Sequence, residues 1–189
     1  MEMSINFDFT VLNFIQEHLR NGVMDWLANM LSYMGHAGLV WIAICIILLF
    51  FKRTRAAGLI ALLAMGLGYL LGDMVIKPLV QRPRPFMTED ARNLFLNAEL
   101  FVHRPSGFSF PSGHSCAATA FLTVMFAKNK AIGWVFLLPV LLMLFSRCYG
   151  YVHFPTDVLC GALLGLLSAL LMLTLFRVTK LDRKLSGRK

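Results

Sequence analysis

Charge is scarce in this chain: 15% of its 189 residues are Asp, Glu, Lys or Arg, against about a quarter in soluble domains. With 58% apolar residues and a mean hydropathy of +0.68, that scarcity excludes a solvated globular surface and a disordered chain. It indicates an all-α integral membrane protein. Acidic residues are the scarcest charges, ten against eighteen basic ones, for a formal net charge of +8. Such an excess can mark a nucleic-acid binder, but here the cations stand in short clusters between apolar runs, as topology signals do. The four cysteines, Cys45, Cys116, Cys148 and Cys160, include no C-x-x-C pair; they exclude a disulfide or zinc framework and read as small buried hydrophobes. A basic start followed by an apolar core is also missing, because Glu2 and Asp8 precede the mixed stretch 9–20; no cleavable leader is expected. No repeat or low-complexity segment occurs, and the length suits one membrane-embedded domain over residues 1–189.

The apolar runs set the expected architecture. Residues 5–20 place Phe7, Val11, Phe14, Ile15 and Leu19 at helical spacing, with four ionisable side chains too many for hydrocarbon; an N-terminal helix lying in the membrane interface fits. Residues 23–51 make one tilted helix or a short helix followed by a span. Residues 56–76 form a span whose Gly58, Gly66, Gly68 and Gly72 suit close helix packing. Further spans follow over 113–127, over 131–145 interrupted by Pro139, and over 158–176. The expectation is a bundle of five to six transmembrane helices. The turns at 52–55 and 128–130 and the C-terminal tail hold 11 of the 18 Lys and Arg, which assigns them to the cytoplasmic side. The polar stretches 77–112 and 146–157 then share the extracytoplasmic face. Within the first, Thr88 and the acids after it predict a helix start, with an amphipathic stripe of Leu94, Phe95, Ala98 and Phe101.

Those polar stretches hold groups that suit phosphoryl transfer. Lys77 and Arg84 stand with six residues between them and Pro85 after; Pro111-Ser112-Gly113-His114 follows; Ser146-Arg147, His153 and Asp157 close the set. A phosphoryl group in transfer spreads negative charge over its equatorial oxygens, so cations and N–H donors must surround it. Lys77, Arg84 and Arg147 are the cations. Ser112 offers a hydroxyl, and Gly113 lets backbone approach closely at a helix N-terminus, where free N–H groups bind anions. His153 can act as nucleophile, Asp157 four residues on can orient it, and His114 can carry the leaving-group proton.

The three motifs K-x6-RP, PSGH and SR-x5-H-x3-D together resemble the signature of the type 2 phosphatidic acid phosphatase superfamily. It includes lipid phosphate phosphatases, bacterial undecaprenyl-diphosphate phosphatases, glucose-6-phosphatases and vanadium haloperoxidases. The resemblance runs from Lys77 to Asp157 and implies a helical membrane fold and a phosphohistidine intermediate. It implies catalytic roles for His153, Asp157 and His114 and phosphate binding by Lys77, Arg84, Ser112, Gly113 and Arg147. No metal and no cofactor are implied, and the motifs hold no carboxylate cluster for one. The partners expected are the bilayer and a lipid phosphate or diphosphate, not nucleic acid.

A site at the membrane surface of a chain with almost no soluble portion points to a lipid substrate. Size and resemblance point first to undecaprenyl diphosphate, in a bacterial cytoplasmic membrane with the site facing outward. Phosphatidylglycerophosphate or phosphatidic acid is the alternative, and a lipid or anion carrier or scaffold without turnover is the alternative of another class. Outside the motifs, His103, Arg82, Arg92 and Arg104 read as loop or headgroup contacts. His36 reads as a surface histidine, Tyr149 and Tyr151 as interfacial aromatics, and Asp73 as an ion-pair partner steadying Lys77 one turn on.

Overall fold

In the computed structural model of the protein, which describes residues 2–34, 38–88, 105–181 and 185, every regular element is helical. Helices α1 (Glu2–His18), α2 (Gly22–Met34) and α3 (Leu39–Leu49) come first. Helix α4 (Arg55–Tyr69) runs on through a π-helical segment, Leu70–Ile76, into the short α5 (Lys77–Val80). After the long polar stretch come α6 (Gly113–Lys128), α7 (Lys130–Tyr149) and α8 (Pro155–Val178). The 23–51 run thus holds two helices, α2 ending at Met34 and α3 starting after Gly38, which adopts φ 72° where glycine carries no steric penalty.

Among the described residues three helical segments are long and apolar enough to cross a membrane: Arg55–Met87, Lys130–Tyr149 and Pro155–Val178. Helices α3 and α6, also expected as spans, are shorter at 11 and 16 residues; at about 1.5 Å per residue neither alone matches a hydrocarbon core of about 30 Å. Pro139 does not interrupt α7, which is continuous through it. Trp134, Leu138 and Leu141 on α7 and Leu159, Leu163, Leu167 and Leu171 on α8 are exposed. Spaced by three to four residues, they form the outward apolar face of an integral membrane protein.

Helix α6 is the central post, packed on α4, α7 and α8. Its apolar contacts include Trp41, Phe121 and Phe136, with ring centroids of the first two 5.1 Å apart. Two glycines on α8 let it lie against α6 at backbone distance: a Cβ on Gly161 would run into the Ser112 carbonyl, and one on Gly165 into that of Cys116. On α4, Gly68 similarly meets Cys116, whereas Gly66, expected to pack, has nothing within 4 Å and lines a cavity. Cys45, Cys116 and Cys148 are buried thiols; Cys160 is exposed on the apolar face, contrary to the buried reading.

Helix α1 turns one side to the bundle and the other outward. Phe7, Phe14 and Leu19 of the apolar stripe are exposed, while Asp8, Leu12, Ile15 and Gln16 are buried against the rest of the chain. Hydrophobic spacing identifies a face without saying whether lipid or protein covers it, and here the more polar side points inward. Gln16 Nε2 donates to the Tyr149 carbonyl (2.8 Å), and Tyr151 Oη donates to Asn13 Oδ1 (3.1 Å). Tyr149 and Tyr151 are accordingly buried struts, not interfacial aromatics; Tyr149 Oη also donates to Asp25 Oδ1 at 2.6 Å.

Candidate active site

The residues singled out by the motifs arrive from four helix ends. Lys77 opens α5, where the π-helical segment ends. Ser112 caps α6, its Oγ accepting from the Ser115 amide at 3.4 Å and from Ser115 Oγ at 2.9 Å. Gly113 and His114 are the first two residues of that helix, so their N–H groups have no intrahelical acceptor. Arg147 lies in the last turn of α7, and Asp157 in the first turn of α8. Lys77, Arg84, Gly113, His114, Arg147 and His153 all line one cavity of about 590 Å³. Ser112 and Asp157 are buried behind it. Away from the cations, the cavity wall is Ile42, Leu62, Met65 and Ala117, from α3, α4 and α6.

Two arginines dominate the polar end. Arg84 is 4% exposed and Arg147 is 2% exposed. Arg84 donates from Nε to the Gly107 carbonyl (3.0 Å), from one terminal nitrogen to the Val152 carbonyl (3.0 Å) and from the other to the Ser106 carbonyl (3.2 Å). Arg147 reaches Ser146 Oγ at 3.1 and 3.2 Å. Among the described residues neither guanidinium pairs with a carboxylate. Lys77 does: its Nζ pairs with Asp73, as expected from their spacing. A buried cation without a counter-ion is costly, and two of them on one cavity wall make a receptor for an anion.

His153 stands before α8, not within it, and its link to Asp157 runs through the helix cap. Asp157 Oδ2 accepts from the Phe154 amide at 2.9 Å, the reach-back of a third-position acid to an N-cap amide. That places Oδ2 3.5 Å from His153 Nδ1, and Nδ1 makes no other contact among the described residues. The gap is long for a formed hydrogen bond, as catalytic contacts often are before substrate tightens them. On the opposite edge, His153 Nε2 lies 3.2 Å from the Arg84 terminal nitrogen that also serves Val152. A guanidinium only donates, so Nε2 is the unprotonated nitrogen and Nδ1 carries the proton toward Asp157. Burial, the largest influence, lowers the His153 pKa from its ordinary 6.5 to about 4; Asp157 opposes this, and Arg84 and Arg147 reinforce it. The imidazole is neutral near pH 7, with a lone pair on the nitrogen that faces the cations.

Sequence spacing did not find the far side of Asp157. Arg82, read as a loop or headgroup contact, instead donates to Asp157 Oδ1 at 2.6 Å, and Ser109 Oγ donates to Oδ2. Asp8 of α1 accepts from Arg82 at 2.6 Å. These partners are 48 to 149 residues from Asp157 in sequence, beyond the reach of any local pattern; the one available signal was an acid early in a mixed N-terminal stretch. His36, His103, Arg92 and Arg104 lie outside the described residues, as do the expected helix after Thr88 and the end of the basic tail.

The fold and site define the class as a helical membrane protein that gathers three cations, two histidines and an acid around one cavity. Residues 57–180 match the PAP2 superfamily, and the chain belongs to it. It is 32% identical over 168 residues to an undecaprenyl-diphosphatase of Sulfolobus acidocaldarius, covering 87% of this chain and 76% of that protein. Two solved structures share its fold at 26% identity. LpxE of Aquifex aeolicus has a TM-score of 0.73, covering 89% of this chain and 95% of that one. A PAP2-type phosphatidylglycerolphosphate phosphatase of Bacillus subtilis has a TM-score of 0.72, covering 94% and 88%.

Proposed function

We propose that this protein is a membrane lipid phosphatase that works through a phosphohistidine, with undecaprenyl diphosphate as its first candidate substrate. The observation that carries the reading is the pair of buried arginines, Arg84 and Arg147, without carboxylate partners among the described residues, on the same cavity wall as His114 and His153. A phosphate would supply the missing negative charge, with Lys77, Ser112 and the Gly113 amide completing its cradle. The apolar remainder of the cavity wall suits the first carbons of a lipid chain.

In the first step His153 Nε2 attacks phosphorus in line. The P–N bond forms as the P–O bond to the leaving group breaks, and His114 gives that oxygen its proton. Asp157 holds the Nδ1 proton and balances the positive imidazole. In the second step His114 takes a proton from water. The water oxygen attacks phosphorus, the P–N bond breaks, and inorganic phosphate leaves neutral His153. The arginines, lysine and amide donors do the electrostatic work, and the mechanism is metal-independent.

The same reading takes residues 1–189 as one phosphatase domain of five to six spans in a bacterial cytoplasmic membrane. The site opens on the outer face, and α1 lies at the interface above it. The closest competing substrate is phosphatidylglycerophosphate, given the fold shared with the Bacillus subtilis phosphatase; phosphatidic acid is another. Phosphate release from these three lipids by purified protein in detergent tests the proposal. We expect release, fastest from the diphosphate, inhibition by orthovanadate, and no release by His153→Ala. No release from any of the three lipids by wild type refutes the enzyme reading in favour of a carrier or scaffold.

A further inference from the structure

We propose that Asp8 and Arg82 are positioning residues for His153, acting through Asp157, so that helix α1 is a working part of the site. This rests on the assignment of His153 and Asp157 above and assigns α1 a function that none of the three motifs contains.

The geometry is a bridge of one cation between two fully buried acids. Arg82 places one terminal nitrogen 2.6 Å from Asp157 Oδ1 and the other 2.6 Å from Asp8 Oδ2. Both carboxylates are 0% exposed. A planar guanidinium holding two acids at once has little rotational freedom, and here one of those acids orients the histidine. With Oδ1 held by Arg82, Oδ2 is left toward Ser109, the Phe154 amide and His153 Nδ1. The flat face of Arg82 lies 3.9 Å from the Phe154 ring centroid, and Phe9 of α1 packs edge-on to that ring at 5.3 Å. The guanidinium is thus fixed along its edges and across its face.

Thr156 ties the same acid to the helix that carries Asp157. Its amide donates to Asp8 Oδ1 at 3.0 Å and its hydroxyl to Asp8 Oδ2 at 2.6 Å, while that hydroxyl accepts from Arg82 at 2.7 Å. Thr156 is the second residue of α8, where an amide has no intrahelical acceptor. Asp8 therefore caps α8 from another helix, and its negative charge suits that end of the helix dipole. The charges also count. Two acids and one arginine leave one unit of negative charge, which is what an imidazolium at His153 needs during attack on phosphorus. Asn13 and Gln16, about one and two turns further along α1, bond Tyr151 in the loop that leads to His153 and the Tyr149 carbonyl that ends α7, so α1 is anchored along the whole approach.

The test compares wild type, Asp8→Asn, Asp157→Asn and the double variant. Each is purified in detergent and measured for phosphate release and for the His153 tautomer by nitrogen-15 NMR of histidine-labelled protein. Asp8→Asn keeps the shape and the acceptor for the Thr156 amide but loses the charge that holds Arg82. We expect its kcat to fall ten- to a hundredfold with KM within twofold, and the Nδ1–H tautomer to lose population. In the Asp157→Asn background, adding Asp8→Asn should change kcat less than twofold, because the route through Asp157 is already cut. A purely structural role for Asp8 predicts the same fractional loss in both backgrounds and no change of tautomer; that result overturns the proposal, as does wild-type kcat in folded Asp8→Asn. If Asp8→Asn does not fold, Arg82→Lys takes its place: it keeps the charge but not the two-edged bridge, and the same kcat loss and tautomer change are expected. If wild type releases no phosphate from any lipid, the phosphatase reading fails, and the tautomer comparison alone decides the bridge.

Discussion

Replacing Asp157 by asparagine turns one carboxylate oxygen into an amide nitrogen and changes almost nothing in volume. The two oxygens now face four donors: Arg82 on Oδ1, and Ser109, the Phe154 amide and the His153 Nδ1–H on Oδ2. An asparagine has one acceptor oxygen and must turn its NH2 toward one side. Toward Arg82, it sets donor against a half-buried cation. Toward Oδ2, it opposes the Phe154 amide and draws the Nδ1 lone pair instead of its proton, which moves the proton to Nε2 and removes the attacking lone pair. Either orientation forfeits a charge-assisted hydrogen bond, a stability loss of about 1.5–3 kcal/mol. The loss in rate is larger, because the nucleophile has the wrong tautomer: about 10³–10⁴ in kcat by analogy with the acid of the serine-protease triad, or about 4–5.5 kcal/mol of barrier. The assay is phosphate release in detergent, with thermal melting to show that the variant is folded. A folded Asp157→Asn turning over within tenfold of wild type refutes the argument that Asp157 sets the state of His153.

His153, at about 4, acts in its neutral form, so activity is kept as pH falls from 7 to 5.5 and is lost through about 4. An imidazole at the ordinary 6.5 would be about 90% protonated at pH 5.5. kcat/KM profiles on two lipids whose phosphates ionise differently separate the enzyme's limb from the substrate's, and a shared limb near 6.5 contradicts the burial argument. His114→Asn should lose about 10²–10⁴ in turnover of alkyl phosphates and at least tenfold less on nitrophenyl phosphate, whose leaving group needs no proton; equal losses would deny His114 the acid role. Gly161→Ala forces α8 away from the Ser112 carbonyl and should cost about 1–3 kcal/mol, whereas Gly66→Ala, with open space around it, should melt at or above wild type. Equal melting of the two glycine variants would show that the α6–α8 contact is not tight.

The motif residues were legible because chemistry constrains them locally. A cap, a turn and a helix end each fix short spacings, and Lys77, Arg84, His114, Arg147 and His153 do meet in one cavity. Asp73 was legible for the same reason, one helical turn from Lys77. Arg82 was not, although it sits between Lys77 and Arg84, because its partner Asp8 is 74 residues away. Nor was the orientation of α1: in a bilayer an apolar stripe can face lipid, so amphipathic spacing reports the existence of a face and not its side. Tyr149 and Tyr151 misled for the same reason, since an aromatic with a hydroxyl suits a membrane interface and a buried strut equally. For the 23–51 run, spacing alone allowed one tilted helix or a short helix followed by a span, and the chain forms two helices, α2 and α3.

The π-helical segment Leu70–Ile76 separates two obligations along one helix. Upstream, Gly58 and Gly68 set how α4 stacks on its neighbours; downstream, Lys77 and then Arg84 must meet the cavity. A π turn accommodates an added residue, so everything after it is set back by about 100° and about 1.5 Å relative to an unbroken α-helix of the same residues. Straightening this segment into a plain α-helix with every residue kept would leave the upstream stacking intact and swing the lysine away from its partners. The stacking of the bundle and the aim of its first cation are therefore set at different places along one helix.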